Sequence, residues 1–351
     1  MARRRQAVTI KHVAADAGVS LQTVSRVIND GPNVRPEMRE RVQASIEKLG
    51  YVPSIAAQRM SGAKSYLILA LNDRERTIED WRKREGSDWV DQMLLGGMLK
   101  CAEHGYRMMI ELVDTHSDHV ERELGAALTA LQPDGVILTP PHSENPLITG
   151  LLAERQIPFA RIGTRVEGPG MRITMNDEGS ARKATEFLLG LGHRRVGFIS
   201  GSREYSLSGR REAGWRTAMA DAGLDVEDLY AVGDFSYESG VRASEKLLGQ
   251  SNRPTAILAS NDQMALGALD VAKRMGIEVP EDLSLISFDN TPLARFTRPA
   301  LTAIDQPIAE TASRAVEAII ESDGRSVDSD EVLVVPGSLI ERESTAPPRN
   351  G

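Results

Sequence analysis

Cysteine is almost absent from this 351-residue chain: the single residue Cys101 excludes an intrachain disulfide and fits a reducing compartment. Its surroundings read as helix, so a small buried side chain is expected there rather than a nucleophile. Apolar runs of the roughly 20 residues that a membrane helix needs are also missing. Met1 to Gln6 carries three arginines with no apolar segment behind them, which argues against a secretory leader and for a cytoplasmic protein. No G-x-x-x-x-G-K-[ST] loop occurs, no G-x-G-x-x-G follows a strand, and G-x-S-x-G is lacking. Those absences argue against phosphate-loop, dinucleotide-binding and simple hydrolase chemistry. Asp114, His116, Asp118 and His119 have a spacing that could hold a metal, but so polar a loop is read as solvated. No metal and no cofactor are expected.

What is present is a soluble composition, 41% hydrophobic and 26% charged, in a chain long enough for two or three compact units. The net charge of -8 hides an asymmetry. Residues 1–62 hold ten basic and five acidic side chains, and the remainder holds 32 basic and 45 acidic. A basic head on an acidic body suggests that the head meets a polyanion.

The head is densely punctuated. Thr9 can cap a helix to Ala17, with Ile10, Val13 and Ala14 on one face. Gly18 permits a tight turn, and Ser20 can cap a second helix from Leu21 to about Ile28, with Val24 and Val27 inward. Asn29, Asp30 and Gly31-Pro32 end it. A third helix begins near Pro36 with the stripe Met38, Val42, Ile46 and Leu49, and stops at Gly50. Helix, glycine turn, helix is the pattern that sets a recognition helix into the DNA major groove. Its exposed start would offer Leu21 to a thymine methyl, Gln22 to adenine and Arg26 to guanine. Thr23, Ser25 and the amide of Asn29 suit phosphates.

Thr9-Ile10-Lys11, Val13-Ala14, Ala17-Gly18-Val19-Ser20, Thr23-Val24-Ser25-Arg26-Val27 and Leu49-Gly50-Tyr51-Val52-Pro53 closely resemble the lactose/galactose-repressor family. His12 stands where that family usually has an acidic residue, and Arg35 where a serine or threonine cap is common. The resemblance implies a DNA-binding set of Thr9, Ser20, Leu21, Gln22, Thr23, Ser25, Arg26, Asn29, Tyr51, Ala57 and Met60. It further implies that Ser54 to Met60 is a hinge helix that orders on the operator. Met60 would replace the family's leucine as the wedge between central base pairs.

Beyond Lys64, short apolar runs alternate with helical stretches: Tyr66 to Leu71, Met108 to Val113, Val136 to Thr139, Phe159 to Ile162, Val196 to Ser200, Ala256 to Ser260 and Leu285 to Phe288. Such alternation implies an α/β fold with helix-covered parallel sheets, which bind ligands at the carboxyl ends of their strands. The resemblance implies a periplasmic-binding-protein-like core of two subdomains. The expected organisation is a helix-turn-helix domain at 1–52, a hinge at 53–63 and a core at 64–345. One subdomain would take 64–164 with 292–324, the other 165–291 with 325–345, and 346–351 would be a disordered tail. Asn72-Asp73, Asn261-Asp262 and Asp289-Asn290 follow strands. By resemblance Arg211, Asn261, Asp289 and Gln306 would grip a sugar, with Asp73 at a position that varies with ligand. Trp81, Trp89 and Tyr205 could stack on a sugar ring at the cleft mouth. Arg74 to Ser87 reads as a long charged loop. Trp215 reads as core, and His193 resembles a structural residue of the family.

The expected function is therefore a homodimeric transcription regulator, a repressor by type, with neither a membrane partner nor an enzymatic role. It would bind pseudo-palindromic double-stranded operator DNA and be switched by a sugar or sugar derivative in the interlobe cleft. The tail carries no leucine heptads that would build a tetramer. The alternative is a sugar-binding protein or sugar-processing enzyme with an accessory helical head.

Overall fold

The computed structural model describes residues 8–28, 31–51, 64–84, 86–115, 119–325 and 331–349. They form two compact units that divide at Tyr66. The first is built of α1 (Ile10–Ala17), α2 (Leu21–Ile28) and α3 (Pro36–Leu49). Val13, Ala14, Ala17, Val24, Val27, Val42 and Tyr51 make its core. Gly18 closes α1 in the left-handed conformation, φ 64°, which a side chain at that turn would strain. Arg41 of α3 locks the turn from behind, with one guanidinium nitrogen donating to the Ala17 carbonyl at 2.5 Å. Lys48 meets Asp16 at 2.7 Å. Met38, expected in the α3 stripe, is 37% exposed, and Ser45 takes an inward place instead by donating to the Val13 carbonyl.

In the second unit, two six-stranded sheets each form a lobe. The first lobe contains β1 (Leu67–Asp73), β2 (Arg107–Val113), β3 (Gly135–Leu138), β4 (Phe159–Ile162), β5 (Met171–Thr174) and β11 (Val332–Val334). Its order is β11-β5-β4-β3-β1-β2, all parallel. The second lobe contains β6 (Val196–Ser200), β7 (Tyr230–Val232), β8 (Ala256–Ala259), β9 (Ser284–Asp289), β10 (Thr302–Asp305) and β12 (Ser338–Ile340). Its order is β12-β10-β9-β8-β6-β7, with only β12 antiparallel. Central strands such as β1, β3 and β8 are covered on both faces, which is why they read as unbroken apolar runs. Trp215 is fully buried, stacked on Phe198 at 5.4 Å, with its indole N–H donating to the Val196 carbonyl.

Three expectations are corrected. The chain crosses between the lobes near 175, 306 and 336: β5 and β11 belong to the first sheet and β10 to the second. The expected boundaries at 164, 291 and 324 therefore misplace all three strands. Each is only three or four residues long: β5 and β10 carry polar residues, and the short apolar run at 332–335 gives no sign of which sheet it joins. Second, Arg74–Lys83 is a helix, α4, not a loop. Asp73 caps it by accepting from the Arg76 backbone N–H at 2.8 Å, and Arg76–Asp80 and Glu79–Lys83 pair at i,i+4. A helix polar on nearly every side is held by such pairs and shows no apolar stripe to read. Third, Ala346 to Arg349 are packed against the second lobe. The Ala346 carbonyl lies 2.9 Å from the His193 ring, and Arg349 pairs with Glu278 and Asp282. His193 also contacts Thr255 and Ser284, a fastening role, and burial lowers its pKa.

Candidate functional site

Two surfaces collect the residues singled out by sequence. In the head, the Ser20 hydroxyl accepts from the Thr23 backbone N–H at 3.1 Å and so caps α2. The side chains at the start of α2 stand outward: Leu21 is 45% exposed, Gln22 and Arg26 are exposed, and Thr23 and Ser25 are half-buried. Val24 and Val27 turn into the core. One face of α2 is thus anchored while the other presents an apolar group, an amide and a guanidinium, the set that reads base edges. At the start of α1 the Thr9 backbone N–H donates to the His12 ring Nδ1 at 3.0 Å. His12 thereby makes the return bond that a glutamate makes in a capping box. Tyr51 differs from expectation: its ring packs in the head core at 7% exposure, and burial raises its pKa. An aromatic ring beside six aliphatic side chains removes more apolar area from water there than it would on the surface. Asn29, Ala57 and Met60 lie outside the described residues.

The second surface is the cleft between the lobes. In both sheets the strand order turns at a switch point, β1/β3 in one and β6/β8 in the other. Such points leave a crevice at the carboxyl ends of the strands. A cavity of about 140 Å³ lies there, opening into a polar mouth of about 290 Å³. Asp73, Trp89, Tyr205, Arg211, Asn261 and Asp289, drawn from distant parts of the sequence, all line it. Gln306 does not; it stands behind the wall, its Nε2 donating to Asp289 Oδ1 at 2.5 Å. Trp81 is 47% exposed on α4 and off the wall.

Several of the lining side chains are held by the protein itself. Arg211, 3% exposed on α9 (Ser206–Asp221), donates through Nε to Asp177 at 2.9 Å and through a terminal nitrogen to the Ser260 carbonyl at 2.5 Å. Its guanidinium lies 4.3 Å from the Phe288 ring centroid. Asn261 caps α11 (Asp262–Arg274) by accepting from the Met264 N–H, and its own amide donates to the Phe235 carbonyl. Asp262 binds the Ser287 hydroxyl at 2.5 Å and the Thr291 N–H at 2.6 Å. Asp73 spends both oxygens, one on the α4 cap and the other on the Thr115 hydroxyl. Phe235 sits where a side chain at 201 would stand: a Cβ on Gly201 would come within 1.9 Å of its ring. Asp289 and Phe235 both take positive φ, 91° and 72°, so the wall carries backbone strain. Burial and the neighbouring Asp289 push Asp262 up to about 7. Burial pushes Asp289 up to about 6 against the pull of Arg211 and Gln306.

The lobes are also tied across the cleft. Arg76 of α4 donates to the Asp234 carbonyl at 2.8 Å and lies over the Phe235 ring at 5.9 Å. On the other side Ser206 donates to Glu144 at 2.6 Å, and Arg210 reaches both Glu144 and the Gly163 carbonyl. Sequence reasoning missed Arg76, Asp80, Asp88 and Phe235 as lining residues. Arg76 and Asp80 lie in the stretch read as a loop, and Asp88 follows directly after it as the first residue of α5 (Asp88–Glu103). Phe235 sits on a connection with no periodic signal. Among the described residues no group of three or more His, Cys, Asp or Glu could hold a metal ion, and no helix is long and apolar enough to cross a membrane.

A helix-turn-helix head joined to a two-lobed sugar-binder-like core defines a class of ligand-responsive DNA-binding proteins. Comparison with known proteins places the chain within that class. Residues 9–54 match the family model for bacterial regulatory proteins of the lacI family, and residues 185–345 match a periplasmic binding protein-like domain. Catabolite control protein A of Priestia megaterium is 31% identical over 347 residues, covering 96% of this chain and 99% of that one. The solved complex of the transcriptional regulator CelR with cellobiose is 29% identical at a TM-score of 0.70, covering 96% and 99% of the two chains. The lac repressor dimer bound to operator and the anti-inducer ONPF is 25% identical at a TM-score of 0.78, covering 97% and 100%. The chain belongs to the lacI family of bacterial regulatory proteins.

Proposed function

We propose that the protein is a homodimeric transcriptional repressor that reads a pseudo-palindromic operator and is switched by a sugar or sugar derivative in the interlobe cleft. The observation that carries this reading is one chain holding both an outward-facing α2 and a cleft at two sheet switch points. Leu21, Gln22 and Arg26 address base edges, and Thr9, Ser20, Thr23, Ser25 and Asn29 address the phosphates. Tyr51 supports the head from its core, with Ala57 and Met60 at the operator centre. In the cleft Arg211, Asn261 and Asp289 hold ligand hydroxyls, Gln306 orients Asp289, and Trp89 and Tyr205 supply flat apolar faces. The relative solved with cellobiose and the relative solved on operator DNA support the two halves of this reading. Ligand bound in the cleft changes operator affinity, and operator changes ligand affinity by the same factor. The protein performs no catalysis in this reading and works in the cytoplasm.

The test is fluorescence anisotropy on labelled DNA from upstream of the protein's own gene, at fixed salt, with and without a panel of sugars. Sequence-preferring binding that one sugar weakens or tightens is the expected result. Binding with no preference for any sequence would overturn the operator reading.

A further inference from the structure

The charge of the effector is written in the cleft. Five aspartates, at 73, 80, 88, 262 and 289, line the cavity against two arginines, Arg76 and Arg211. Both arginines are committed: Arg211 to Asp177 and the Ser260 carbonyl, Arg76 to Asp80 and the Asp234 carbonyl. Three of the aspartates are committed as well. Asp73 and Asp262 spend both oxygens on protein donors, and Asp80 takes Arg76.

Asp88 and Asp289 are left. Asp88, the first residue of α5, is met by its own backbone N–H and lies in the first lobe. Asp289, at the end of β9 in the second lobe, receives Gln306 on one oxygen and keeps the other open to the cavity. The two carboxylates line the same cavity, one from each lobe. The rings of Trp89, Tyr205 and Phe235 line the same cavity, and their faces attract cations and exclude water. A neutral sugar placed here would leave two like charges facing each other in a poorly solvated space, and a phosphate or carboxylate would add a third. A protonated amine would instead receive a hydrogen-bonded counter-charge from each lobe.

We propose that the effector is a hydroxylated amine, such as an amino sugar, whose ammonium group bridges Asp88 of one lobe to Asp289 of the other. This rests on the effector reading of the cleft and adds to it the charge of the ligand. The ammonium converts a repulsion between the lobes into an attraction, so binding and closure favour each other.

The test is calorimetric titration of the full-length protein with glucose, glucosamine, N-acetylglucosamine and glucose 6-phosphate, and with the corresponding galactose series. Each amine should bind about tenfold or more tightly than its neutral parent and its N-acetyl form, with the phosphates weakest. Asp88→Asn and Asp289→Asn should each shrink the amine-to-parent ratio, thermal melting without ligand confirming that both variants fold. A parent sugar that binds as tightly as its amine, or a ratio that Asp88→Asn leaves unchanged, would overturn the amine assignment and leave the effector reading standing. Absence of binding by every sugar in both series would overturn the sugar-effector reading itself, and the amine assignment with it.

Discussion

At the scale of single residues, two side chains do work that their type alone does not announce. His12 completes the cap of α1, accepting the Thr9 N–H in the place of an acidic residue. His12→Ala should lower the stability of the head by about 0.5–2 kcal/mol, and His12→Glu should keep or raise it. Hydrogen exchange at the amides of residues 9–14 in the full chain reads this directly; equal exchange in all three proteins would remove the cap. Asp262 carries the opposite kind of strain. Its folded pKa stands above the ordinary carboxylate value because it is buried beside Asp289. The folded protein therefore holds a proton that the unfolded chain has lost. Its contribution to stability is fully present below about pH 4 and falls as pH rises towards about 7. Asp262→Asn should flatten that fall by roughly 1–3 kcal/mol between pH 5 and pH 8, as judged by urea unfolding. Parallel curves for the variant and the parent would refute the linkage.

Elements were legible where a continuous pattern exists. Strands β1, β3, β4, β6, β8 and β9 are each four to seven residues long and largely buried, and all stood out as apolar runs. The head helices were readable because Thr9, Gly18, Ser20, Pro36 and Gly50 mark their ends chemically. The strands β5, β7, β10, β11 and β12 were not, since polar residues interrupt Met171–Thr174 and Thr302–Asp305 and the other three are only three residues long. Helix α4 was hidden for the opposite reason: its order comes from a cap and charge pairs, and only Thr77 is buried. That helix and α9 supply the two ties across the cleft. Glu144→Ala removes the acceptor for both Ser206 and Arg210. It should loosen the lobes by about 1 kcal/mol, raising amide exchange in residues 201–210 and weakening effector binding about fivefold. Unchanged exchange there would mean that the Glu144 contacts do not hold the cleft.

At the scale of the molecule, Asp73, Asn261 and Asp289 could be singled out in advance because they lie at or just past strand ends, while Arg211 and the ligand roles came from the family resemblance. A surface for self-association gives no such signal, as its residues look like any buried helix face. Helix α5 shows why. Val90, Met93, Gly96, Gly97 and Cys101 turn inward, and Cys101 is buried enough to push its thiol up to about 12. Leu95, Met98 and Leu99, on the other side, are 49%, 53% and 59% exposed, and Met109 on the neighbouring edge strand β2 is 43% exposed. A helix that is apolar on both sides is ordinarily covered on both. In the proposed homodimer, a second copy of this chain is the occupant that suits the strip. Leu95→Asp with Leu99→Asp should shift the protein from dimer to monomer in sedimentation at micromolar concentration. Because both side chains are already half in water, the fold itself should be little disturbed. Operator affinity should fall by about a hundredfold or more, since a half-site bound by one head no longer brings the second head to its own half-site. A double variant that sediments as a dimer would place the self-association surface elsewhere, for instance around Phe296, which is 73% exposed in the second lobe.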